Sequence, residues 1–275
     1  MKFWKMNGAG NDFIIINNIE EKLPHECFPH IAATLCERHL SIGADGLMVV
    51  EKAENGGDYR MLFYNSDGSI GEMCGNGARC ICRYGYENGL AGEVQRVETM
   101  SGTVTGYRLC ERTYRIRLNP PTVVKLDYTA EAEGVAYDCS YVELGSPGLP
   151  HGVFHIEGLD KIPGDELKIL GRKLRFARAF PKGANINFYE LQPDGTVRIR
   201  TYERGVEDLT YACGTGTGSV ALVLKRKGLV PEGPVNARVH GGKLSVDVEG
   251  DELWLTGPTN IVCKGSVTDE ELDNR

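Results

Sequence analysis

Two cysteines of this chain stand in nearly the same local sequence, Cys-Gly-x-Gly followed by a helix-like stretch. The first turn is Cys74-Gly75-Asn76-Gly77, and the second is Cys213-Gly214-Thr215-Gly216. At the start of a helix, unpaired backbone N–H groups and the positive end of the helix dipole favour negative charge. This setting favours the thiolate form of a cysteine, and the same N–H groups can hold a carboxylate. Each turn is therefore a candidate base and a candidate anion-binding site.

Two such turns suit a proton transfer that inverts a stereocentre. One group removes the proton from one face of the carbon, and another returns a proton to the opposite face. A thiolate and a thiol fit these two roles and exchange them for the reverse reaction. N–H donors fixed around a substrate carboxylate stabilise the carbanion-like transition state. We therefore predict Cys74 and Cys213 as a catalytic pair that works without metal or cofactor.

Other uses of these cysteines fit the sequence less well. A lone cysteine is usually a small buried hydrophobe, and the chain has nine cysteines. Neither turn contains the Cys-x-x-Cys pair of a redox dithiol. A zinc site built on Cys74, Cys80 and Cys82 places the last two on different faces of one helix. The glycines after Cys213 lack the Gly-Lys-Ser/Thr ending of a phosphate loop, and no positive signal indicates a pyridoxal-phosphate enzyme.

Six polar residues outside the two turns remain open between a structural and a functional role: Asn11, Asn65, His151, Asn185, Glu203 and Arg204. The asparagines follow or interrupt strand-like runs, where turn residues are common. The adjacent glutamate and arginine form either a solvated pair at a strand end or an arginine fork for a substrate carboxylate. The histidine is either a loop residue or a group that stabilises a thiolate.

The elements that position these residues are mostly strands. Alternating apolar and polar residues, separated by Gly, Asn and Asp clusters, are typical of antiparallel sheets covered on one face. The predicted strands are 13–16, 46–50, 59–64, 113–118, 185–191, 196–202, 243–248 and 252–256. Four helices are predicted at 30–38, 76–87, 165–174 and 214–227. The fold class is therefore mixed α/β (α+β) with mostly antiparallel sheet.

The chain also reads as a duplication. The strand-like runs 59–64 and 196–202 each lead into a cysteine turn and then a helix. Upstream, the segment 8–13 is echoed by the segment 182–188. We predict two pseudo-symmetric domains, each wrapped around a central helix and facing the other across a cleft. The N-terminal domain covers 1–118 and the C-terminal domain 119–258, with Pro120-Pro121 as the linker.

Composition limits the class of protein. The chain has 275 residues, 41% hydrophobic and 25% charged, which suffices for two globular domains. Its net charge of −7 argues against a nucleic-acid partner. The N-terminus lacks the pattern of a signal peptide, and the apolar runs are too short to cross a bilayer. We therefore expect a cytoplasmic protein with a small-molecule substrate and no membrane partner.

Seven ordered motifs make the chain resemble the diaminopimelate epimerases over nearly its whole length. The N-terminal motifs are Lys5-Met6-Asn7-Gly8-Ala9-Gly10-Asn11-Asp12-Phe13, Gly43-Ala44-Asp45-Gly46, Tyr64-Asn65-Ser66-Asp67-Gly68-Ser69 and Met73-Cys74-Gly75-Asn76-Gly77-Ala78-Arg79-Cys80. The C-terminal motifs are Phe180-Pro181 to Phe188, Tyr202-Glu203-Arg204-Gly205 and Ala212-Cys213-Gly214-Thr215-Gly216.

The resemblance implies a homodimeric isomerase that interconverts LL- and meso-diaminopimelate without pyridoxal phosphate, in lysine biosynthesis. Two related α/β domains would close over the substrate, with the segment 259–275 returning to the first domain. Cys74 and Cys213 would be the acid/base thiols, assisted by His151 and Glu203. The implied substrate-binding residues are Asn11, Asn65, Gly75, Asn76, Asn185, Glu203, Arg204, Gly214 and Thr215.

Two positions depart from the family pattern. Leu149 stands where the family's Gly-Asn-Pro-His stretch has an asparagine, in a segment from Gly145 to His151 that reads as longer here. Gly46 stands where some members carry a glutamine. A leucine cannot make the hydrogen bonds of an amide, and a missing partner changes substrate preference. A racemase for another amino acid, such as histidine, is therefore an alternative, and a non-catalytic amino-acid-binding protein is a third hypothesis.

Overall fold

A computed structural model of the chain describes residues 1–71, 74–268, 270 and 272. The chain divides into two compact units, Met1–Ile116 with Gly257–Arg275, and Arg117–Thr256. Met73 of the first cysteine motif lies outside the described residues, as do 269, 271 and 273–275 of the segment expected to return to the first domain.

Among its described residues, the first unit is a sheet with three α-helices. Its strands are β1 (Lys2–Gly8), β2 (Asn11–Asn17), β3 (Gly46–Glu51), β4 (Tyr59–Asn65), β5 (Val94–Thr99), β6 (Gly102–Arg108), β7 (Thr113–Arg117) and β17 (Asn260–Ser266). Its helices are α1 (Asn18–Glu21), α2 (Phe28–Leu35) and α3 (Gly75–Glu87). The strand order is β17-β1-β2-β3-β4-β5-β6-β7, with parallel pairs β2–β3 and β4–β5 and antiparallel pairs elsewhere.

The second unit is built in the same way. Its strands are β8 (Pro121–Ala132), β9 (Val135–Leu144), β10 (Leu149–His155), β11 (Asn185–Leu191), β12 (Val197–Glu203), β13 (Asp208–Thr210), β14 (Val235–Val239), β15 (Gly242–Glu249) and β16 (Glu252–Pro258). Its helices are α4 (Gly164–Arg175) and α5 (Gly214–Arg226). The order is β8-β9-β10-β11-β12-β14-β15-β16, with short β13 beside β12.

The two strand orders repeat each other pair by pair. The parallel pairs β10–β11 and β12–β14 take the places of β2–β3 and β4–β5. The helices α2 and α4 precede the fourth strand of each order, β3 and β11, and α3 and α5 follow the fifth, β4 and β12. The predicted echo of 8–13 by 182–188 is wrong, because β11 corresponds to β3 and the counterpart of β2 is β10. The duplication itself extends further than the cysteine turns indicated.

A buried helix lies in the middle of each unit. In α3, every residue from Gly75 to Gly85 is buried, and in α5 the buried residues include the run from Gly216 to Leu224. A helix that is buried on every side lies in the interior of its unit and not at the protein surface. In α3 the close packing depends on Gly8, because a Cβ there would lie 2.8 Å from the carbonyl oxygen of Asn76.

The mixed α/β (α+β) class with mostly antiparallel sheet is confirmed. Each unit has its own apolar cluster, around Ile14 and Leu35 in the first and around Phe154 and Phe188 in the second. Across the residues that the structure describes, every helix is too short or too polar to cross a bilayer.

Candidate functional site

The first cysteine turn is the start of α3. Cys74 is the N-cap residue, with extended backbone dihedrals (φ −98°, ψ 129°), and its carbonyl oxygen accepts the N–H of Ala78 at 2.8 Å. Its side chain is partly exposed. The following N–H groups of Gly75 and Asn76 belong to the first helical turn, where backbone donors lack partners within the helix. The cysteine therefore stands where the sequence placed it, at the positive end of a buried helix.

A chain of hydrogen bonds runs through two of the predicted substrate-binding asparagines. Arg79 donates to the side-chain oxygen of Asn76 at 2.7 Å. Asn76 donates to the side-chain oxygen of Asn11 at 2.6 Å, and Asn11 donates to Asp45 at 3.1 Å. A cation at one end and a carboxylate at the other fix the orientation of both amides. The structure thus brings Asn11 and Asn76 together beside the Cys74 turn.

An ion-pair cluster anchors the far end of this chain. Asp12 lies 2.7 Å from the ammonium of Lys5 and 2.6 Å from the guanidinium of Arg38, which also contacts Asp45 at 2.9 Å. Burial alone would raise the pKa of Asp12. Hydrogen bonds and charges from Arg38 and Lys5 outweigh burial and hold that pKa below its ordinary value. Asp12 is therefore ionised at neutral pH.

Asn65 ends strand β4 and belongs to a separate turn of the first unit. Its side-chain amide donates to the hydroxyl of Ser69 at 2.9 Å, and its backbone N–H donates to the Ser69 carbonyl oxygen at 2.8 Å. In the sheet register it stands opposite Gly46. A Cβ at Gly46 would lie 2.4 Å from Cε2 of Phe63. The ring of Phe63 fills the space that a glutamine at this position would need.

The second cysteine turn is the start of α5. Cys213 is the N-cap residue (φ −110°, ψ 113°), and its sulfur accepts the N–H of Gly216 at 3.3 Å. The hydroxyl of Thr215 lies 3.5 Å from the same sulfur. A backbone N–H aimed at sulfur favours the thiolate. Cys213 is 5% exposed.

Asn185 and Arg204 lie together in the second unit. The side-chain oxygen of Asn185 accepts the backbone N–H of Arg204 at 2.8 Å. The guanidinium of Arg204 donates to the carbonyl oxygen of Lys182 at 3.2 Å and remains at the surface side of this turn. Glu203 is the last residue of β12 and is partly buried. The glutamate–arginine pair therefore ends a strand, as the sequence indicated.

His151 lies in strand β10 and not in a loop, which corrects one of its two sequence-based interpretations. It is 0% exposed and pairs in register with Asn185 of β11. Burial, and then the charge of Arg204, lower the pKa of His151 to about 3. The imidazole is therefore neutral at pH 7.

The neighbour of His151 fixes which ring nitrogen carries the proton. The side-chain N–H of Asn187 lies 3.3 Å from Nδ1 and also donates to the Gly152 carbonyl oxygen at 3.0 Å. The orientation of the amide follows from this carbonyl oxygen and that of Asn185 at 3.3 Å, which can only accept, and the side-chain oxygen of Asn187 accepts the hydroxyl of Thr201 at 3.0 Å. Nδ1 is then the acceptor, and the proton is on Nε2. This buried Nε2–H has no hydrogen-bond partner among the described residues.

Arg79 and Asn187 are members of these networks that were not among the predicted site residues. Arg79 belongs to the first cysteine motif, and its signal is a charged residue within the otherwise small and apolar run 77–82. Asn187 interrupts a strand of apolar residues, which is a weaker signal. Leu149, the first residue of β10, is half-buried and stands opposite Leu144. At this position of the second unit the chain offers an apolar side chain.

The tight start of α5 leads to a first prediction. A Cβ at Gly216 would lie 2.1 Å from the side-chain oxygen of Asn187 and 3.2 Å from Cβ of Cys213. We expect Gly216→Ala to destabilise the second unit by about 1–3 kcal/mol, because overpacking a closed site forces its neighbours to shift. The measurement is urea unfolding, and a wild-type midpoint in this variant would contradict the close packing.

A matched control for that substitution is Gly164→Ala. Gly164 is the first residue of α4, and among the described residues no heavy atom lies within 4 Å of an added Cβ. We expect this variant to unfold at or slightly above the wild-type midpoint, because alanine favours the helix.

The chain is similar in sequence to known proteins over nearly its whole length. The sequence model of the diaminopimelate epimerase family matches residues 3–109 and 145–262. The diaminopimelate epimerase of Aquifex aeolicus is 38% identical over 99% of this chain and 100% of its own length. That of Methanothrix thermoacetophila is 36% identical over 99% of this chain and 98% of its own length.

Solved structures share the fold at low sequence identity. A PhzF-family phenazine biosynthesis protein of Bacillus anthracis has a TM-score of 0.73 at 16% identity, covering 97% of this chain and 98% of its own. A probable proline racemase of Agrobacterium radiobacter has a TM-score of 0.71 at 16% identity, covering 99% of this chain and 95% of its own. The fold therefore extends over nearly the whole length of each partner in these pairs.

Proposed function

The chain belongs to the diaminopimelate epimerase family, and we propose that it interconverts LL- and meso-diaminopimelate, as an isomerase of lysine biosynthesis. The observation that carries the proposal is the repeated cysteine-capped helix, with Cys74 starting α3 and Cys213 starting α5. A repeated acid/base group is what an inversion by proton transfer needs.

The proposed reaction moves one proton in and one proton out. The thiolate of one cysteine takes the α-proton, so an S–H bond forms as the C–H bond breaks, and the electron pair stays on the α-carbon and its carboxylate. The thiol of the other cysteine then gives its proton to the opposite face and becomes the thiolate. The reverse reaction exchanges the two roles. The N–H groups of Gly75, Asn76, Gly214 and Thr215 are the proposed donors to the developing negative charge.

The polar networks support specific positioning roles. Asn11 is held by Asn76 and Asp45, which leaves its second amide hydrogen for a substrate oxygen. Asn185 holds the backbone of Arg204, whose guanidinium suits a carboxylate. Asn65 is the third proposed amide contact. We assign His151 and Glu203 as assisting groups, with the Nε2–H of the histidine as a neutral hydrogen-bond donor.

We also propose that the protein is a homodimer and that it acts in the cytoplasm, as membership of the family suggests. Size-exclusion chromatography with light scattering gives the mass directly, and a mass of 30.2 kDa, that of one chain, would contradict the dimer.

The function is tested by hydrogen exchange at the α-carbon. Reduced protein is incubated in deuterated water with LL-diaminopimelate and, separately, with a panel of L-amino acids that includes histidine. We expect loss of the α-proton signal and formation of the meso isomer with diaminopimelate alone. Exchange with histidine but not with diaminopimelate would support the alternative racemase, which the apolar Leu149 favours. No exchange with any amino acid would favour the non-catalytic binding protein.

A further inference from the structure

Arg79 is a buried cation that the proposed reaction does not use. Its side chain is 0% exposed, and it lies in the first turns of α3, five residues after Cys74. One terminal nitrogen donates to the carbonyl oxygen of Gly75 at 3.2 Å, and the other donates to Asn76 at 2.7 Å. Its Nε has no partner, and no carboxylate lies within salt-bridge distance among the described residues. Both hydrogen-bond partners are neutral.

This position is unfavourable for a cation on two counts. Burial removes the guanidinium from water without a compensating charge, and burial lowers the pKa of Arg79. The N-terminal end of a helix is its positive end, so a cation there opposes the dipole. A guanidinium nevertheless stays protonated in proteins. The Arg79 guanidinium and the positive end of the helix dipole therefore both create a positive potential at the start of α3, and both stabilise an anion there.

The guanidinium folds back toward the start of α3. Its hydrogen bond to Gly75 joins it to the residue that directly follows Cys74. Of the charges that act on Arg79, the neighbouring thiols Cys80, Cys74 and Cys82 favour its cationic form. Cys80 and Cys82 are completely buried, and burial raises the pKa of each to about 12, so neither supplies an anion. Cys74 is partly exposed and is the remaining thiol of the three.

We propose that Arg79 is a positioning residue whose buried charge keeps Cys74 in the thiolate form before substrate binds. The proposal rests on the proposed function only in treating Cys74 as a base. The same contacts hold Asn76 and, through it, Asn11 in one orientation. Arg79 thus prepares both the base and an amide beside it, without contact to the reacting carbon.

The second unit carries no such charge at the equivalent place. Five residues after Cys213 stands Gly218, and a Cβ there would lie 2.5 Å from Cδ1 of Leu118. The packing of α5 therefore excludes an arginine at this position. The repeat is asymmetric, because the residue five positions after Cys74 is a cation and the residue five positions after Cys213 is a glycine. A backbone N–H of α5 also favours a thiolate at Cys213, but Arg79 adds a full positive charge that only Cys74 has. In the proposed arrangement, Cys74 is therefore the base and Cys213 the acid in the substrate-free protein.

Other charged groups near α3 do not replace Arg79. On the strands packed against the helix, Lys5 and Asp12 pair with each other, and Arg38 pairs with Asp12. Arg108 of β6 lies over the ring of Tyr86 and contacts Glu93. Arg83, one turn further along α3, is paired with Glu87 at 3.5 Å. Each of these cations has a carboxylate partner.

The test measures how alkylation of Cys74 depends on pH in substrate-free protein. Reduced protein is treated with iodoacetamide between pH 5 and 10, and each cysteine-containing peptide is quantified by mass spectrometry. In the wild type we expect the midpoint for Cys74 below that of an ordinary thiol, about 8.5. In Arg79→Gln we expect the midpoint to rise by about one to three pH units, as when an opposite charge is removed. Arg79→Lys, which keeps the charge, should stay near the wild type.

Controls separate this charge effect from a general loosening of the helix. Arg83→Gln removes a buried cation from the same helix and should leave the Cys74 midpoint unchanged. The midpoint for Cys213 should be unchanged in every variant. A wild-type midpoint for Cys74 at or above about 8.5 overturns the proposal without any variant, including the case in which Arg79→Gln does not fold. An unchanged midpoint in folded Arg79→Gln, with only KM altered, also overturns it.

The alkylation result does not depend on the identity of the substrate. If the protein exchanges no amino-acid proton but Cys74 shows the low, Arg79-dependent midpoint, the proposed function fails and this inference stands. If exchange occurs and the midpoint is ordinary, the reverse holds.

Discussion

Cys74→Ala and Cys213→Ala are each expected to lower the rate of inversion by roughly 10²- to 10⁴-fold, the usual contribution of a positioned acid or base. Each variant keeps one thiol, so each can still act on one face of the α-carbon. We therefore expect any residual deuterium exchange to occur without inversion. The exchange should be confined to one epimer in one variant and to the other epimer in the second. The measurement is α-proton exchange in deuterated water, with the epimers separated by chiral chromatography.

The control for both variants is Cys110→Ala. Cys110 is exposed, and hydrogen bonds from the side chain and backbone around Thr113 lower its pKa, so it is a reactive thiol outside the two turns. This variant should retain wild-type inversion. Inversion at more than a tenth of the wild-type rate in either turn variant would refute the two-base scheme.

We expect His151 to make the second unit less stable as the pH is lowered. Its pKa is about 3 in the folded protein and about 6.5 in an unfolded chain, so below pH 6.5 the unfolded state binds a proton that the folded state does not. The stabilisation is complete above pH 6.5 and is lost as the pH falls from 6.5 toward 3. The slope is about 1.4 kcal/mol per pH unit, which gives about 2 kcal/mol between pH 7 and pH 5.

The two tryptophans make this effect measurable in one unit. Trp4 belongs to the first unit and Trp254 to the second, so a Trp4→Phe background leaves fluorescence that reports the second unit. Urea unfolding at pH 7 and pH 5 should show the loss in this background and much less of it in His151→Gln. His155→Gln, an exposed histidine of the same strand, should behave like the background. Equal pH dependence in His151→Gln would refute the assignment.

The sequence predicted the elements that carry a strong local pattern. The strands and central helices around the two cysteine turns begin and end within a few residues of their predicted limits, because Gly and Asn mark their ends. The three strands between Pro121 and His155 were missed. The hairpin that joins β8 to β9 has its turn at Glu133-Gly134. Strand β8 contains Lys125, Asp127 and Glu131 and is half-exposed. Because of these charged residues, the sequence of β8 shows little alternation of apolar and polar side chains. Its place in the sheet depends on pairing with the neighbouring β9.

The site was predictable where it depends on residue type and less so where it depends on contacts. The two cysteines, their capping glycines and the asparagines could be selected from spacing and motif. The roles of Arg79 and Asn187 depend on where a buried guanidinium and a buried amide turn, and sequence order does not contain that information. The same holds for His151, whose neutral state follows from complete burial in a strand.

The pairing of β17 with β1 bears on how the protein is made. Lys2 pairs with Ser266, so the sheet of the first unit is finished by a strand that leaves the ribosome about 260 residues after the one it pairs with. All of the second unit, which ends at Thr256, is synthesised before that strand emerges. Until then β1 has an open edge that other chains can join. Premature termination just before β17 would therefore leave the Cys213 half intact and expose the nascent Cys74 half to aggregation.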